Sequence, residues 1–367
     1  VAVPATNVAP GTAKGGGVTD TAGDRNIDTE GMWSATASLP EQVATAARAA
    51  RGLDGLPDRD KVEHVVVVGM GGSGIAGDIL AAAAQPFMSL PVVVSKSYEL
   101  PAFVGEGSLV FAISTSGDTE ETVEAVTEAA VQGASIVAIT SGGELGRLAA
   151  GWGTPVIPVP QSIPQPRAAL GAMAIPPLIV LEDIGLFPGA GQWVDSAIEQ
   201  LTSRVKRLTA DKSEAAELAR RIGRTIPLVY GGGAIGAAAA QRWKTQFNEN
   251  AKVPAFFNAH PELCHNEVCG WGQHGDLTRQ AITAVGLRHD YEHPQVIRRF
   301  ELVWKLLDEV VAGVEEVQAE GEGQLAQLLD LILVGDFVSL HLAFQEGVDP
   351  GPVPALVELK TALAQGD

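Results

Sequence analysis

Three stretches of the chain concentrate residue types that can bind an anion or move a proton. The first is Gly69-Met70-Gly71-Gly72-Ser73-Gly74, directly after the β-branched run at 65–68. Glycines let backbone N–H groups approach an anion, the following helix presents its positive end, and Ser73 adds a hydroxyl. A dinucleotide could use the same loop, but Gly69, Gly71 and Gly74 meet the required spacing only loosely. Val94-Ser95-Lys96 also stands where an acid should end the next strand. A plain strand–helix turn is the competing structural reading. The second stretch, Ser114-Thr115-Ser116-Gly117-Asp118-Thr119-Glu120-Glu121, sets the hydroxyls of Ser114, Ser116 and Thr119 around an expected helix start. Such a polar nest suits a phosphoryl group. Its competing reading is a capping box of Asp118 with Glu121, or of Thr119 with Thr122. No lysine follows as in a nucleotide-binding P-loop, so a monophosphate fits better than a nucleoside triphosphate.

The third stretch runs from Trp243 to Lys252 and continues through Pro261-Glu262-Leu263-Cys264-His265-Asn266-Glu267. Moving a proton between adjacent sugar carbons needs a base, donors that hold enediolate charge, and a group that opens the ring. Glu249, Glu262, Glu267 and His265 are candidates for the proton steps. A carboxylate partly desolvated beside Phe247 and Trp243 moves toward the operating pH as a base. The alternatives are a glutamate on a helix surface and a satisfied core histidine. Arg167 is a lone cation after a proline-rich loop, with a surface arginine as the alternative. Lys360 stands in the apolar segment 357–363, where its ammonium could dip into a pocket by snorkelling. Cys264 and Cys269 flank His265. Cys-x4-Cys with one nearby histidine lacks a full ligand set, so neither a metal centre nor a disulfide is expected.

Strands alternating with helices must position these loops. The pattern predicts a helix from near Ser38 carrying Ala44, Ala47 and Ala50. Strands follow at 65–68, 92–94, 109–113, 135–139 and 155–159. Helices are expected at about 75–84 and 119–132, and from near Arg167. After a turn-rich break at 185–191, a charged helix over about 193–223 reads as a connector. A second half opens like the first, with a strand at 226–230, Gly231–Gly233 and an alanine-rich helix to about Gln246. Strands at 281–285 and 314–317, a helix at 323–345 and a closing segment at 352–364 complete it. Proline and asparagine make 256–265 an extended excursion. The expectation is an α/β fold with two α/β/α sandwich domains, each around a mainly parallel sheet. Residues 1–31 form a disordered leader, 32–192 the first domain, 193–224 a connecting helix and 225–367 the second domain. The similar openings suggest an internal duplication.

Composition bounds the partners. The chain has 367 residues, 46% of them hydrophobic and 5% aromatic, so small aliphatic side chains must fill two cores. Forty-four acidic and 25 basic residues give a formal charge of −19, which argues against nucleic acid and anionic membranes. The Gly/Ala/Thr-rich leader lacks the apolar core of a signal peptide, which makes a cytoplasmic location the expectation. The apolar stretch 325–344 is interrupted by Asp330, Asp336 and His341, so a buried helix fits better than a membrane span.

From about Leu39 onward the chain resembles the sugar isomerase (SIS) domain superfamily, and within it the bifunctional phosphoglucose/phosphomannose isomerases. The likeness rests on G-M-G-G-S-G-I-A-G-D at 69–78, S-T-S-G-D-T-E-E-T at 114–122 and Q-P-R-A-A-L-G at 165–171. It continues in N-E-N-A-K at 248–252 with P-E-L-C-H-N-E at 261–267, and in G-V-D-P with Leu359-Lys360 near the C-terminus. The resemblance implies that Gly72, Ser73, Ser114, Ser116 and Thr119 bind the substrate phosphate. It implies that Glu249 shuttles the C1/C2 proton, Arg167 steadies the enediolate, His265 opens the ring and Lys360 stands near the ring oxygen. It further implies no cofactor or metal, a phosphorylated hexose as substrate, and a homodimer whose sites borrow the histidine of the neighbouring chain. Asp118, Cys264 and Gly351 depart from the family pattern, where Asn, a polar residue and Thr are commoner. The implied reaction is the interconversion of glucose-6-phosphate and fructose-6-phosphate, with or without mannose-6-phosphate as a second aldose. The alternatives are an isomerase of another phosphosugar and a non-catalytic phosphosugar sensor.

Overall fold

The computed structural model describes residues 25–365. Its first half runs through α1 (Met32–Ala37), α2 (Leu39–Ala49), β1 (His64–Val68), α3 (Gly71–Ala84), β2 (Val92–Ser95), β3 (Ser108–Ser114) and α4 (Glu120–Val131). It continues with β4 (Ser135–Thr140), α5 (Gly143–Trp152), β5 (Val156–Pro158) and α6 (Leu170–Asp183). Helices α7 (Ala190–Leu208) and α8 (Glu214–Ile222) lead into β6 (Ile226–Gly232), α9 (Gly233–Gln246), β7 (Phe256–His260), α10 (Gly275–Ala281) and β8 (Ile282–Arg288). The chain then runs through α11 (Pro294–Leu307), β9 (Gly313–Gln318), α12 (Gln324–Gln345) and α13 (Pro354–Gln365).

Both sheets are wholly parallel, ordered β2-β1-β3-β4-β5 and β7-β6-β8-β9. The second order repeats the first four positions of the first, with β6 in the place of β1, which is the expected duplication at the level of topology. Strand order reverses between β1 and β3, and at such a switch point an α/β sheet opens a crevice at its C-terminal edge. The first two candidate loops leave β1 and β3 there, side by side.

One continuous core joins the halves. Val65 and Val67 of β1, Ile175 of α6, Trp243 of α9 and Leu331 of α12 all belong to it. Helix α12 packs on α7, α8 and α9, and α3 packs on α9. The helix is long and apolar enough to cross a membrane, yet Leu325–Phe344 is buried throughout. Its buried ionisable residues are all engaged inside the fold. Asp330 meets Arg204, Asp336 meets Arg242, and His341 meets Ser213.

Several expectations need correction. The leader is expected through residue 31, yet 25–31 is structured. Arg25–Ile27 forms a 3-10 turn, and Asp28 accepts the N–H groups of Met32 and Trp33 at 2.8 Å each. The remainder of the leader lies outside the described residues. The single connector over 193–224 is two helices, because Ser213 caps a new start by accepting from Ala216 N at 3.1 Å. Both are core helices, with α7 packed on α2 and α12. The excursion at 256–265 begins as edge strand β7, whose Phe256 and Phe257 stay 59% and 38% exposed. An edge strand with outward aromatics has no buried face to announce it in the sequence.

Candidate active site

The glycine stretch after β1 is itself the first turn of α3, which begins at Gly71 rather than near Ile75. Gly71 has φ +52°, and a Cβ at Gly72 would stand 3.3 Å from the Arg167 Cα. The glycine turn is thereby seated against the backbone that carries Arg167. Ser73 is buried, and its hydroxyl donates to Met173 Sδ at 3.3 Å. Thr115 Oγ1 donates to the same sulfur at 3.1 Å, so Met173 of α6 bridges the two loops. Nothing in the sequence singles out Thr115 for this contact.

In the second loop Ser114 is buried, with its hydroxyl 2.9 Å from Thr119 Oγ1 and accepting from Gly117 N at 3.1 Å. Ser114 and Thr119 therefore shape the turn, while Ser116 is exposed. The competing capping box is absent: Thr119 is the N-cap of α4 without a side-chain cap bond. Asp118 instead accepts from Glu144 N of α5 at 2.8 Å. The loop is locked onto the α5 start so closely that a Cβ at Gly117 would lie 1.8 Å from Gly142 O.

The third stretch reaches Arg167, whose backbone lies against the glycine turn. Glu249 lies in a π-helical turn, Phe247–Ala251, at the end of α9. Such turns are rare and re-aim side chains. Its carboxylate Oε2 stands 3.5 Å from Arg167 NH1. The expected neighbours Phe247 and Trp243 are fully buried core residues, so the polar partner of Glu249 is the guanidinium. Arg167 is only 3% exposed. It donates from Nε to Asn250 Oδ1 (2.8 Å), from NH1 to Gln165 Oε1 (3.2 Å), and from NH2 to the Pro350 and Gly351 carbonyls (2.6 and 2.7 Å). Burial pulls the guanidinium below its ordinary value, and Glu249 opposes this most strongly. Behind the pair, Asp336 grips Arg242 at 3.0 and 2.8 Å, and Arg242 NH2 donates to Arg167 O at 2.6 Å. Asn250 Nδ2 donates to Ser339 Oγ at 2.9 Å. Sequence reading missed Arg242, Asp336, Asn250 and Lys252. The available signal was charge inside an apolar pattern, an arginine in an alanine-rich helix and an aspartate in a leucine-rich one.

Two expected residues stand apart. His265 is exposed, and its side chain makes no hydrogen bond or ion pair among the described residues. Lys360 lies on α13, whose Leu356, Val357, Leu359 and Leu363 are 45–64% exposed. Snorkelling requires an apolar surface under the side-chain stem, and Lys360 is exposed like the residues around it. Glu267 holds the Tyr230 hydroxyl and accepts from Asn258 Nδ2 at 2.6 Å, which gives it a structural partner set. Glu262 accepts from Asn266 at 2.8 Å.

The second half does not repeat the open loop. A Cβ at Gly232 would meet Val296, Phe300 and Glu292 at 2.9–3.3 Å, so α11 and the Glu292 carboxylate just before it cover that turn. In the first half, Lys96 follows β2 and pairs with Asp78, in the position a ribose-binding acid would need. A separate cleft of about 500 Å³ between α3 and α9 is lined by Asp78, Gln85, Gln241 and Phe257 and shares none of the site residues.

Residues 60–150 match the SIS domain, and 211–363 match the bacterial phospho-glucose isomerase C-terminal SIS domain. A bifunctional phosphoglucose/phosphomannose isomerase of Caldicellulosiruptor bescii is 35% identical over 339 residues, 91% of this chain and 99% of the relative. One from Thermoplasma volcanium is 36% identical over 304 residues, 83% of this chain and 92% of the relative. A hypothetical protein of Thermus thermophilus shares the fold at TM-score 0.71 and 16% identity, over 91% of this chain and 90% of its own. The two domain matches cover β1–β4 of the first sheet and all of the second, and the sequence likeness to the first relative spans nearly its whole length. The chain belongs to the bifunctional phosphoglucose/phosphomannose isomerase family.

Proposed function

We propose that the chain interconverts D-glucose-6-phosphate and D-fructose-6-phosphate through an enediolate, with mannose-6-phosphate as a second aldose. The observation that carries this reading is the buried Arg167 guanidinium facing the Glu249 carboxylate at 3.5 Å, beside the glycine turn of α3. In this reading the phosphate docks at Ser116, Thr119 and the backbone N–H groups of the two loops, with Gly72 and Ser73 on the α3 side. Glu249 removes the proton from C2 of the opened aldose and returns it to C1. The C2–H bond breaks, its electron pair moves into the enediolate, and the new C1–H bond consumes it while the hydroxyl proton passes from O2 to O1, so no external oxidant or reductant enters. Arg167 NH1, shared between Gln165 and Glu249, faces the developing charge.

His265 opens the ring from a second copy of the chain. Its exposure and lack of partners within its own chain, among the described residues, support that role. A cytoplasmic homodimer with shared sites follows from this reading, and Lys360 takes no task within one chain. The sensor alternative leaves the Arg167–Glu249 pair unused.

The test offers glucose-6-phosphate and mannose-6-phosphate separately to metal-stripped protein in coupled assays. Glu249→Gln should lower kcat by roughly 10²–10⁴-fold while fructose-6-phosphate still binds, and it should stop deuterium exchange at C2. Retained exchange would move the base to Glu262 or Glu267.

A further inference from the structure

The turn that carries Glu249 ends on Lys252, a non-glycine residue with φ +57°. Left-handed backbone at a helix C-terminus favours glycine, because a Cβ is strained there. Lysine at this position brings a side chain that turns back onto the chain. Its Nζ donates to the carbonyls of Glu249 (2.7 Å) and Asn250 (3.3 Å), which end the turn. It also donates to the carbonyls of Asp349 (2.9 Å) and Pro350 (3.1 Å), in the strap that leads to α13. Pro350 O is the acceptor that Arg167 NH2 uses as well. Two cations from different elements thus hold one strap, and one of them also holds the backbone of Glu249.

We propose that Lys252 is a positioning residue, whose ammonium fastens the Glu249 turn to the 349–351 strap and so sets the Glu249 carboxylate against Arg167. An ammonium has three N–H donors and no acceptor, which suits a cluster of carbonyls. A neutral amine has only two donors and must release part of it. The charged groups facing Nζ are Arg167, Asp349, Glu249 and Glu30. Burial first, and Arg167 second, bring the ammonium down to about 8 from its ordinary value, against the pull of the three carboxylates. The clamp is therefore whole below about pH 8 and loosens above it.

For its kinetic part this inference rests on the isomerase reading, and its exchange part does not. The experiment compares native protein with Lys252→Met and Lys252→Arg. It follows kcat and KM against pH, together with amide exchange in peptides covering 348–353, corrected for the intrinsic rate. Lys252→Met should lower kcat about tenfold or more with KM within about twofold, and should speed exchange in the strap at every pH. Native protein should lose kcat and strap protection through about pH 8. Lys252→Arg, which stays charged, should carry that alkaline limb upward. An unchanged kcat in Lys252→Met, or the same alkaline limb in native protein and Lys252→Arg, overturns the assignment and leaves the isomerase reading standing. If no phosphosugar is isomerised, the exchange result alone decides, and unaltered strap protection in Lys252→Met overturns it.

Discussion

Arg167→Lys keeps a positive charge at the centre of the site and removes the planar fork that carries it. The guanidinium serves Asn250, Gln165, Pro350 and Gly351 from three nitrogens. A lysine presents three N–H bonds from one point, so it cannot span acceptors spread along three guanidinium edges. At least two of the four bonds are lost. The side chain is 3% exposed, so water does not replace them. At roughly 1.5–3 kcal/mol for each charge-assisted bond, the cost is about 3–6 kcal/mol. That is a large share of the ~5–15 kcal/mol that holds a typical domain folded. Urea unfolding followed by tryptophan fluorescence measures it, with kcat recorded on the fraction that remains folded. The expected result is a clearly lower midpoint and a depressed kcat. An Arg167→Lys protein within about 1 kcal/mol of native stability, the middle of the range for point substitutions in general, would refute the view that this guanidinium joins the site to the 350–351 strap.

Mixing Glu249→Gln and His265→Gln chains, each nearly inactive alone, tests the shared site. Random pairing of a symmetric dimer should restore about one quarter of native activity, and no recovery in mixed dimers verified by mass spectrometry rules sharing out. Gly117→Ala should abolish fructose-6-phosphate binding in calorimetric titration, because φ is +80° and the new Cβ would stand 1.8 Å from Gly142 O; undiminished affinity would dismiss the 114–121 loop as the phosphate site. His260 and His341 are each held down to about 4, chiefly by burial. The unfolded chain therefore takes up these protons first, and stability is whole above about pH 6.5 and falls on acidification toward pH 4. At pH 5 the loss is roughly 2 kcal/mol for each histidine, so a thermal midpoint equal at pH 7.5 and pH 5 would contradict it.

Much of the scaffold was legible in the chain because burial on both faces leaves uninterrupted apolar strands. The run at 65–68, the strand at 109–113 and the helix at 323–345 all declare themselves this way. Glycine turns and hydroxyl clusters are local, and they marked both loops at the switch point of the first sheet. Helices α5 and α11 went unread although each has an apolar and a polar face, and edge strand β7 went unread because its outward aromatics give no buried face. The connector was read as one helix because Ser213, its internal cap, is a single residue in a charged stretch.

Sequence alone determined which residue types could do chemistry and roughly which elements carry them, since those features depend on neighbours a few positions away. Tertiary structure decided their partners. Arg167 and Glu249 are 82 positions apart and meet only because α6 and the end of α9 share one core. Ser114 looks like a ligand-facing hydroxyl in sequence, yet packing turns it inward onto Thr119 and leaves Ser116 facing out. Arg242, Asp336 and Lys252 acquire their roles from contacts with Arg167 and with residues 349–350. No local pattern encodes such contacts, because a hydrogen bond depends on where two segments cross and not on how either one reads.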